Sequence, residues 1–86
     1  MLQTEFIEKF NGLNNMVADV HIKHLLYGSQ KIKKCVLHPF VDGERIGLVI
    51  NGESIYITMD ELCDVSFSDT KCVVESEIMK LYIKLL

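Results

Sequence analysis

The sequence predicts an α+β fold, in which an antiparallel sheet of five to six short strands is covered by an N-terminal and a C-terminal helix. Three observations support this prediction. The pairs Asp42-Gly43 and Asn51-Gly52 separate alternating apolar runs, as tight hairpin turns do. Residues 3–11 repeat apolar side chains at helical spacing. Residues 77–86 form a wide apolar arc on a helical wheel. A small, strongly bent β-barrel is the alternative.

Length and composition indicate a single domain spanning residues 1–86. The hydrophobic content of 49% is enough for a dense core in so short a chain. No apolar run approaches the roughly 20 residues that a membrane-spanning helix needs. The first ten residues carry acids where a signal peptide would carry basic residues followed by an apolar stretch. We therefore expect a soluble cytoplasmic protein without a membrane partner.

The N-terminal stretch predicts an amphipathic helix over about residues 3–11, because Phe6, Ile7 and Phe10 fall on one side of a helical wheel. Asn11-Gly12 follows as a helix stop. The next segment, residues 16–26, alternates apolar and polar side chains and predicts a strand. A helix that begins at Asn14 or Asn15 is the alternative for this segment.

The centre predicts a three-stranded meander over residues 33–59. A two-residue turn at Asn51-Gly52 and another at Asp42-Gly43 place the same apolar set on one face, whereas a one-residue slip would scatter it. That set is Cys35, Leu37, Ile46, Leu48, Ile50, Ile55, Ile57 and Met59. The predicted pairs are Ile50–Glu53, Leu48–Ile55, Ile46–Ile57, Val41–Glu44, Pro39–Ile46, Leu37–Leu48 and Cys35–Ile50.

The last third predicts a second hairpin and a terminal helix. A two-residue turn at Asp69-Thr70 pairs Phe67 with Cys72 and Val65 with Val74. The tail 77–86 alternates like a strand, but Ser76 suits a helix N-cap, and the charged residues of the tail share a narrow wedge of a helical wheel. Helix is therefore the predicted state, and strand is the alternative.

The outer face of the meander is the candidate partner-binding site. The predicted registers align His38, Gly47 and Tyr56 in one row, and Phe40, Arg45 and Thr58 in the next. Aromatic and arginine side chains on an open sheet face are typical anchors of protein interfaces. The competing interpretation is that they pack inside a barrel. The candidate contacts are His38, Phe40, Arg45 and Tyr56.

A basic segment suggests a second kind of partner, nucleic acid. Residues 20–34 contain four lysines and no acid, although the whole chain has a net charge of −3. Lysines beside an aromatic residue suit a phosphate backbone with a stacked base. Lysines also protect an edge hairpin from aggregation, which is their commoner role. The candidate contacts are Lys23, Tyr27, Lys31, Lys33 and Lys34.

The sequence predicts no catalytic residue, no metal site and no cofactor. Its three cysteines form no C-x-x-C pair, and His21 and His24 share a face only if their segment is helical. No phosphate-binding or nucleophile-elbow motif occurs.

The function that we expect is a non-enzymatic protein-interaction module. It would bind through the outer sheet face or the apolar C-terminal segment, with a second copy of the chain as one candidate partner. A small nucleic-acid-binding module that uses the 23–34 hairpin is the alternative.

Overall fold

The computed structural model describes residues 3–86, which form two open antiparallel sheets and one short helix. The chain is therefore mainly β. The predicted antiparallel pairing and the first helix are confirmed, whereas the predicted single sheet of five to six strands and the second helix are not. The five-stranded sheet has the order β2-β1-β8-β7-β6, and the three-stranded sheet has the order β3-β4-β5. The elements are α1 (Thr4–Asn11), β1 (Val17–His24), β2 (Gly28–Val36), β3 (His38–Val41), β4 (Arg45–Ile50), β5 (Glu53–Thr58), β6 (Leu62–Ser68), β7 (Lys71–Ser76) and β8 (Met79–Leu85).

Helix α1 confirms the prediction for the N-terminal segment. Phe10 is fully buried, and Phe6 stacks on it with 5.7 Å between ring centroids. Gly12 follows the last helical residue, and its N–H donates to the Glu8 carbonyl. In residues 3–86 no helix is long and apolar enough to cross a membrane.

The Asn51-Gly52 turn is confirmed, and with it the register of β4 against β5. Both turn residues have positive φ, 52° and 82°, as a two-residue hairpin turn of this type requires. Leu48 pairs with Ile55, and Ile46 pairs with Ile57, as predicted.

The predicted two-residue turn at Asp42-Gly43 is wrong, because Val41 pairs with Ile46 rather than with Glu44. The Asp42 side chain explains the longer loop. Its Oδ1 accepts hydrogen bonds from the N–H groups of Glu44 and Arg45, each at 2.8 Å. The resulting register differs from the prediction by two residues. An even shift leaves every side chain on its predicted face, so the apolar set still faces the core.

The meander begins at His38, and not at residue 33. Residues 33–36 belong to β2 in the other sheet, where Cys35 pairs with Ala18 instead of Ile50. Leu37, between the two sheets, is fully buried; its N–H donates to the Met16 carbonyl. The chain therefore passes from one sheet to the other at Leu37.

The segment predicted as a strand at 16–26 is strand β1, which forms a hairpin with β2. The register shifts near Asp19, where β2 bulges at Lys33 and Lys34. Lys34 has a φ of 52°, and its N–H donates to the Asp19 carboxylate at 2.9 Å. The second predicted hairpin is also confirmed, with Phe67 opposite Cys72 and Val65 opposite Val74.

The predicted C-terminal helix is wrong, since residues 79–85 form β8 between β1 and β7. Leu81 and Ile83 are buried, and they face the core from the middle of the sheet. Ser76 does not begin a helix; its hydroxyl oxygen accepts the N–H groups of Ile78 and Met79 and closes the turn before β8. Without β8, strands β1 and β7 would each have an unpaired edge.

The core lies between the two sheets, with α1 packed at its side. The two sheets of residues 3–86 share no hydrogen-bonded strand pair, so the alternative of a small, strongly bent β-barrel is not what forms. The buried apolar residues come from both sheets, from α1 and from the connections that follow α1 and β2. They are Phe10, Leu13, Ala18, Val20, Ile22, Cys35, Leu37, Ile46, Leu48, Ile50, Ile57, Cys72, Val74, Leu81 and Ile83.

Candidate interaction surfaces

The outer face of the three-stranded sheet carries a cluster of Phe40, Arg45 and Tyr56, called here the Arg45 cluster. The guanidinium carbon of Arg45 lies 5.5 Å from the ring centroid of Phe40 and 5.2 Å from that of Tyr56. The two ring centroids are 6.4 Å apart. These distances fit cation–π contacts with both rings.

The strand register builds this cluster, although not in the predicted rows. Phe40, Gly47 and Tyr56 form one row across three strands, and Arg45 lies in the next row, opposite Thr58. The predicted row of His38, Gly47 and Tyr56 is wrong, because the longer loop after β3 places Phe40 beside Gly47. Gly47 has no side chain, so the two rings of its row approach each other across it.

The Asp42 loop positions Arg45 from the other side. The Asp42 carboxylate accepts the Glu44 and Arg45 N–H groups, and these bonds, with the nearby Arg45 charge, hold the pKa of Asp42 below its usual value. Its second oxygen lies 3.7 Å from the Arg45 guanidinium. His38 lies one row away, opposite Val49, with its Nδ1 3.4 Å from the Asn14 side-chain oxygen.

The outer face of the five-stranded sheet forms a second surface, the lysine face. Its residues alternate with the buried ones of each strand. One row is Lys23, Lys80 and Glu75, and another is Asp19, Lys84 and Lys71. Between these rows runs a third, made of Lys31, His21, Tyr82 and Val73.

Contacts on the lysine face centre on Tyr82. The Lys23 ammonium lies 5.4 Å from its ring centroid, and the His21 ring lies 5.9 Å from it. Lys80 forms an ion pair with Glu75 at 3.2 Å, which raises the pKa of Lys80. Within residues 3–86, the other lysines of this face have no carboxylate within 4.0 Å. They are Lys23, Lys31, Lys71 and Lys84.

His21 sits among these cations with one ring nitrogen unsatisfied. Its Nε2 is shielded from solvent and has no hydrogen-bond partner among the described residues. Desolvation is the largest cause that lowers the pKa of His21, and the charges of Lys31 and Lys23 add to it. The ring is therefore neutral at pH 7.

The structure separates the residues of the basic segment. Lys23 and Lys31 lie on the lysine face, whereas Lys33 and Lys34 lie at the β2 bulge. Tyr27 lies against His24, with 4.5 Å between the ring centroids and the two rings tilted by 38°. His24 lies on the same, inner side of the sheet as Ile22. The aromatic residue beside the lysines is Tyr82. Tyr82, Lys80 and Lys84 were not among the predicted contacts, although they alternate with apolar residues if the tail is taken as a strand.

The tip of the β1–β2 hairpin is apolar and exposed. Leu25, Leu26 and Tyr27 expose 75%, 76% and 86% of their surface. The His24 Nδ1 accepts the N–H groups of Leu26 and Tyr27 at 3.1 and 3.3 Å, so the loop backbone is held in place.

A groove of about 660 Å³ lies between α1, the β3–β4 loop and β6. The ionisable side chains that line the groove are the thiol of Cys63 and the carboxylates of Asp42 and Asp64. In residues 3–86, no group of three His, Cys, Asp or Glu side chains is arranged to hold a metal ion. The other two cysteines are buried, and burial raises the pKa of Cys72 to about 12.

Comparison of the chain with protein-family models, curated proteins and solved structures found no match.

Proposed function

We propose that this protein is a small non-enzymatic interaction module that binds a protein partner through the Arg45 cluster. The observation that carries the proposal is the Arg45 guanidinium in contact with both Phe40 and Tyr56 on an outer sheet face. Arginine and tyrosine are the side chains that most often dominate binding energy when they lie at the centre of an interface.

Rigidity supports this role. All three side chains project from paired strands, and the backbone at Arg45 is fixed by its hydrogen bond to Asp42. A side chain that is already ordered loses little conformational entropy on binding. The cluster is also reachable, because Tyr56 is 42% exposed and the Arg45 side chain is 46% exposed.

The partner chemistry that fits Arg45 is a carboxylate. The contact with Asp42 measures 3.7 Å, which is longer than the ~2.7–2.9 Å of a charge-assisted hydrogen bond. The guanidinium donors are therefore available to an acidic side chain of a partner, with the two rings packing around it. The apolar C-terminal segment is not part of the proposal, since Leu81 and Ile83 are buried in the core.

A cytoplasmic location belongs to the same proposal. Cys35, Cys63 and Cys72 are all free thiols, which is the usual state in a reducing compartment.

The test is a quantitative capture experiment with three baits: the unchanged protein, Tyr56→Ala and Arg45→Ala. We expect one set of proteins to be retained by the unchanged bait and lost by both variants. Lys9→Ala, which removes an exposed charge on α1, is the matched control and should retain the set. A set that survives both cluster variants, with all baits shown to be folded by circular dichroism, would contradict the proposal.

The same variants test self-association. If the partner is a second copy, the molar mass in solution should rise with concentration for the unchanged protein and stay monomeric for Tyr56→Ala. A concentration-dependent mass that is equal in both proteins would place self-association elsewhere on the molecule.

A further inference from the structure

Two pairs of lysines face each other across neighbouring strands of the five-stranded sheet. Lys23 on β1 lies opposite Lys80 on β8, and Lys84 on β8 lies opposite Lys71 on β7. Like charges directly opposite each other destabilise an antiparallel pair. An acid is the next neighbour in each row, Glu75 beside Lys80 and Asp19 beside Lys84, and offsets part of this repulsion. An anion bound between the two rows would relieve the remainder.

Tyr82 lies between the two pairs. It is the residue of β8 that separates Lys80 from Lys84 on the outer face, and its ring is in contact with the Lys23 ammonium. His21 and Lys31 continue the same row toward the edge of the sheet. One aromatic ring is therefore surrounded by cations contributed by four different strands.

The acids of this face do not cancel its charge. Glu75 pairs with Lys80. Asp19 lies opposite Lys84, but the two form no ion pair within 4.0 Å, and the Asp19 carboxylate accepts the Lys34 N–H. Asp64 lies beyond Glu75 on β6, away from β1. The excess positive charge therefore follows Lys31, Lys23, Lys84 and Lys71.

We propose that the lysine face binds single-stranded nucleic acid, with a base stacked on Tyr82 and the phosphates bound by the surrounding lysines. Every base presents a π face, so an aromatic ring accepts it without regard to sequence. Stacking on a side chain requires an unpaired base, which excludes the interior of a duplex. The lysines supply the phosphate attraction that the ring alone lacks.

This site is separate from the Arg45 cluster, which lies on the other sheet. Either proposal therefore stands if the other fails, and the tyrosines of the two sites serve as controls for each other.

The first experiment measures fluorescence anisotropy of a labelled oligothymidylate of about 12 nucleotides, a length within the usual site size of small binding domains. Tyr82→Ile keeps a side chain suited to a strand but removes the π face, and should weaken binding about ten-fold. Tyr82→Phe should retain binding. Tyr56→Ile, a tyrosine on the other sheet, should also bind as the unchanged protein does.

The second experiment varies the salt concentration. Each lysine that contacts a phosphate contributes about 0.7 to the slope of log affinity against log salt for a single strand. Lys84→Ala and Lys71→Ala should each reduce that slope by about this amount. Lys9→Ala, on the exposed side of α1, should leave it unchanged.

A third measurement guards against variants that fail to fold. The chain has three tyrosines and no tryptophan. In a protein with Tyr27→Phe and Tyr56→Phe, Tyr82 is the sole emitter, and a stacked base should quench its fluorescence on addition of the oligonucleotide. Unquenched emission at saturating oligonucleotide would overturn the stacking.

Two other outcomes would overturn the proposal. One is the absence of binding at low salt. The other is binding of a duplex or of polyglutamate as tight as that of the single strand and insensitive to Tyr82→Ile, which would indicate an attraction between charges alone.

Discussion

Tyr56 crosses directly over Gly47, the residue opposite it on the neighbouring strand. A Cβ atom built on Gly47 would lie 2.6 Å from both the Cα and the Cβ of Tyr56, and closer still to the Ile55 carbonyl oxygen. Cross-strand Cβ atoms are normally ~4.5–5.5 Å apart. The absence of a side chain at position 47 is therefore what lets Tyr56 approach Phe40 and Arg45.

Gly47→Ala should destabilise the fold, because the added methyl group has to displace the backbone of β5. Overpacking of this kind costs about 1–3 kcal/mol, and thermal unfolding measures it. Gly43→Ala is the matched control, since a Cβ atom at that exposed loop position would meet nothing within 4 Å. Equal melting temperatures for the two variants would contradict the close approach of β4 and β5.

Lys71→Glu should stabilise the fold while weakening the binding of nucleic acid. The change places a glutamate opposite Lys84, and the residue on its other side, Ser68, is neutral; favourable cross-strand charge pairs contribute about 0.2–1 kcal/mol. Chemical denaturation gives the free energy of unfolding. Lys31→Glu provides the comparison, because the residue opposite Lys31 is the neutral His21 and little stabilisation should follow. A destabilised Lys71→Glu protein would show that Lys71 and Lys84 do not repel each other.

Stability should fall with acidification between pH 7 and about pH 5, before the carboxylates titrate. The folded state lowers the pKa of His21 below its ordinary 6.5, through desolvation and then through Lys31 and Lys23. His21 of the unfolded chain therefore binds a proton near pH 6.5, whereas His21 of the folded chain does so only at lower pH. The free energy of unfolding accordingly decreases as the pH falls below 6.5. The residues opposite His21 on its two neighbouring strands are Lys31 and Tyr82, and neither is a carboxylate.

His21→Gln should flatten this dependence, because glutamine does not titrate. Denaturant titrations at pH 7, 6 and 5 compare the two proteins. An unchanged slope in the variant would assign the acid sensitivity to another group.

The three thiols should react at very different rates in the folded protein. Cys63 is exposed, whereas Cys35 and Cys72 are buried, and burial raises the pKa of both. An alkylating reagent at neutral pH should label Cys63 alone, since only the thiolate reacts. Peptide mass spectrometry locates the label, and all three thiols should react in denaturant. Rapid labelling of Cys72 without denaturant would contradict its place in the core.

Sequence reasoning succeeds where the determinants are local. Asn51-Gly52 adopts positive φ in almost any context, so the turn and the register of β4 against β5 follow from two residues. The same holds for the Asp69-Thr70 turn and for the apolar stripe of α1. The face of each central strand was also predictable, because it depends only on alternation.

The loop after β3 shows how one side chain changes a register. Asp42-Gly43 suits a two-residue turn, but the Asp42 carboxylate binds two backbone N–H groups further on and closes a longer loop. Because the side-chain hydrogen bonds of Asp42 decide between the two loop lengths, the Asp42-Gly43 dipeptide alone does not predict the length of the loop. The longer loop places Phe40, instead of His38, opposite Gly47. His38 lies opposite Val49 in the neighbouring row.

The sequence by itself determined that this chain forms paired strands, where most of its turns lie and which side chains face inward. Only the tertiary structure decided the state of the tail, because its sequence alternates like a strand and yet segregates its charged residues on a helical wheel. Strand β8 forms since β1 and β7, distant in sequence, each offer an edge of backbone N–H and carbonyl groups that a helix would leave unpaired. The same insertion brings Lys80, Tyr82 and Lys84 beside Lys23 and Lys71. A site assembled from three separate segments depends on those long-range pairings, and no local pattern encodes them.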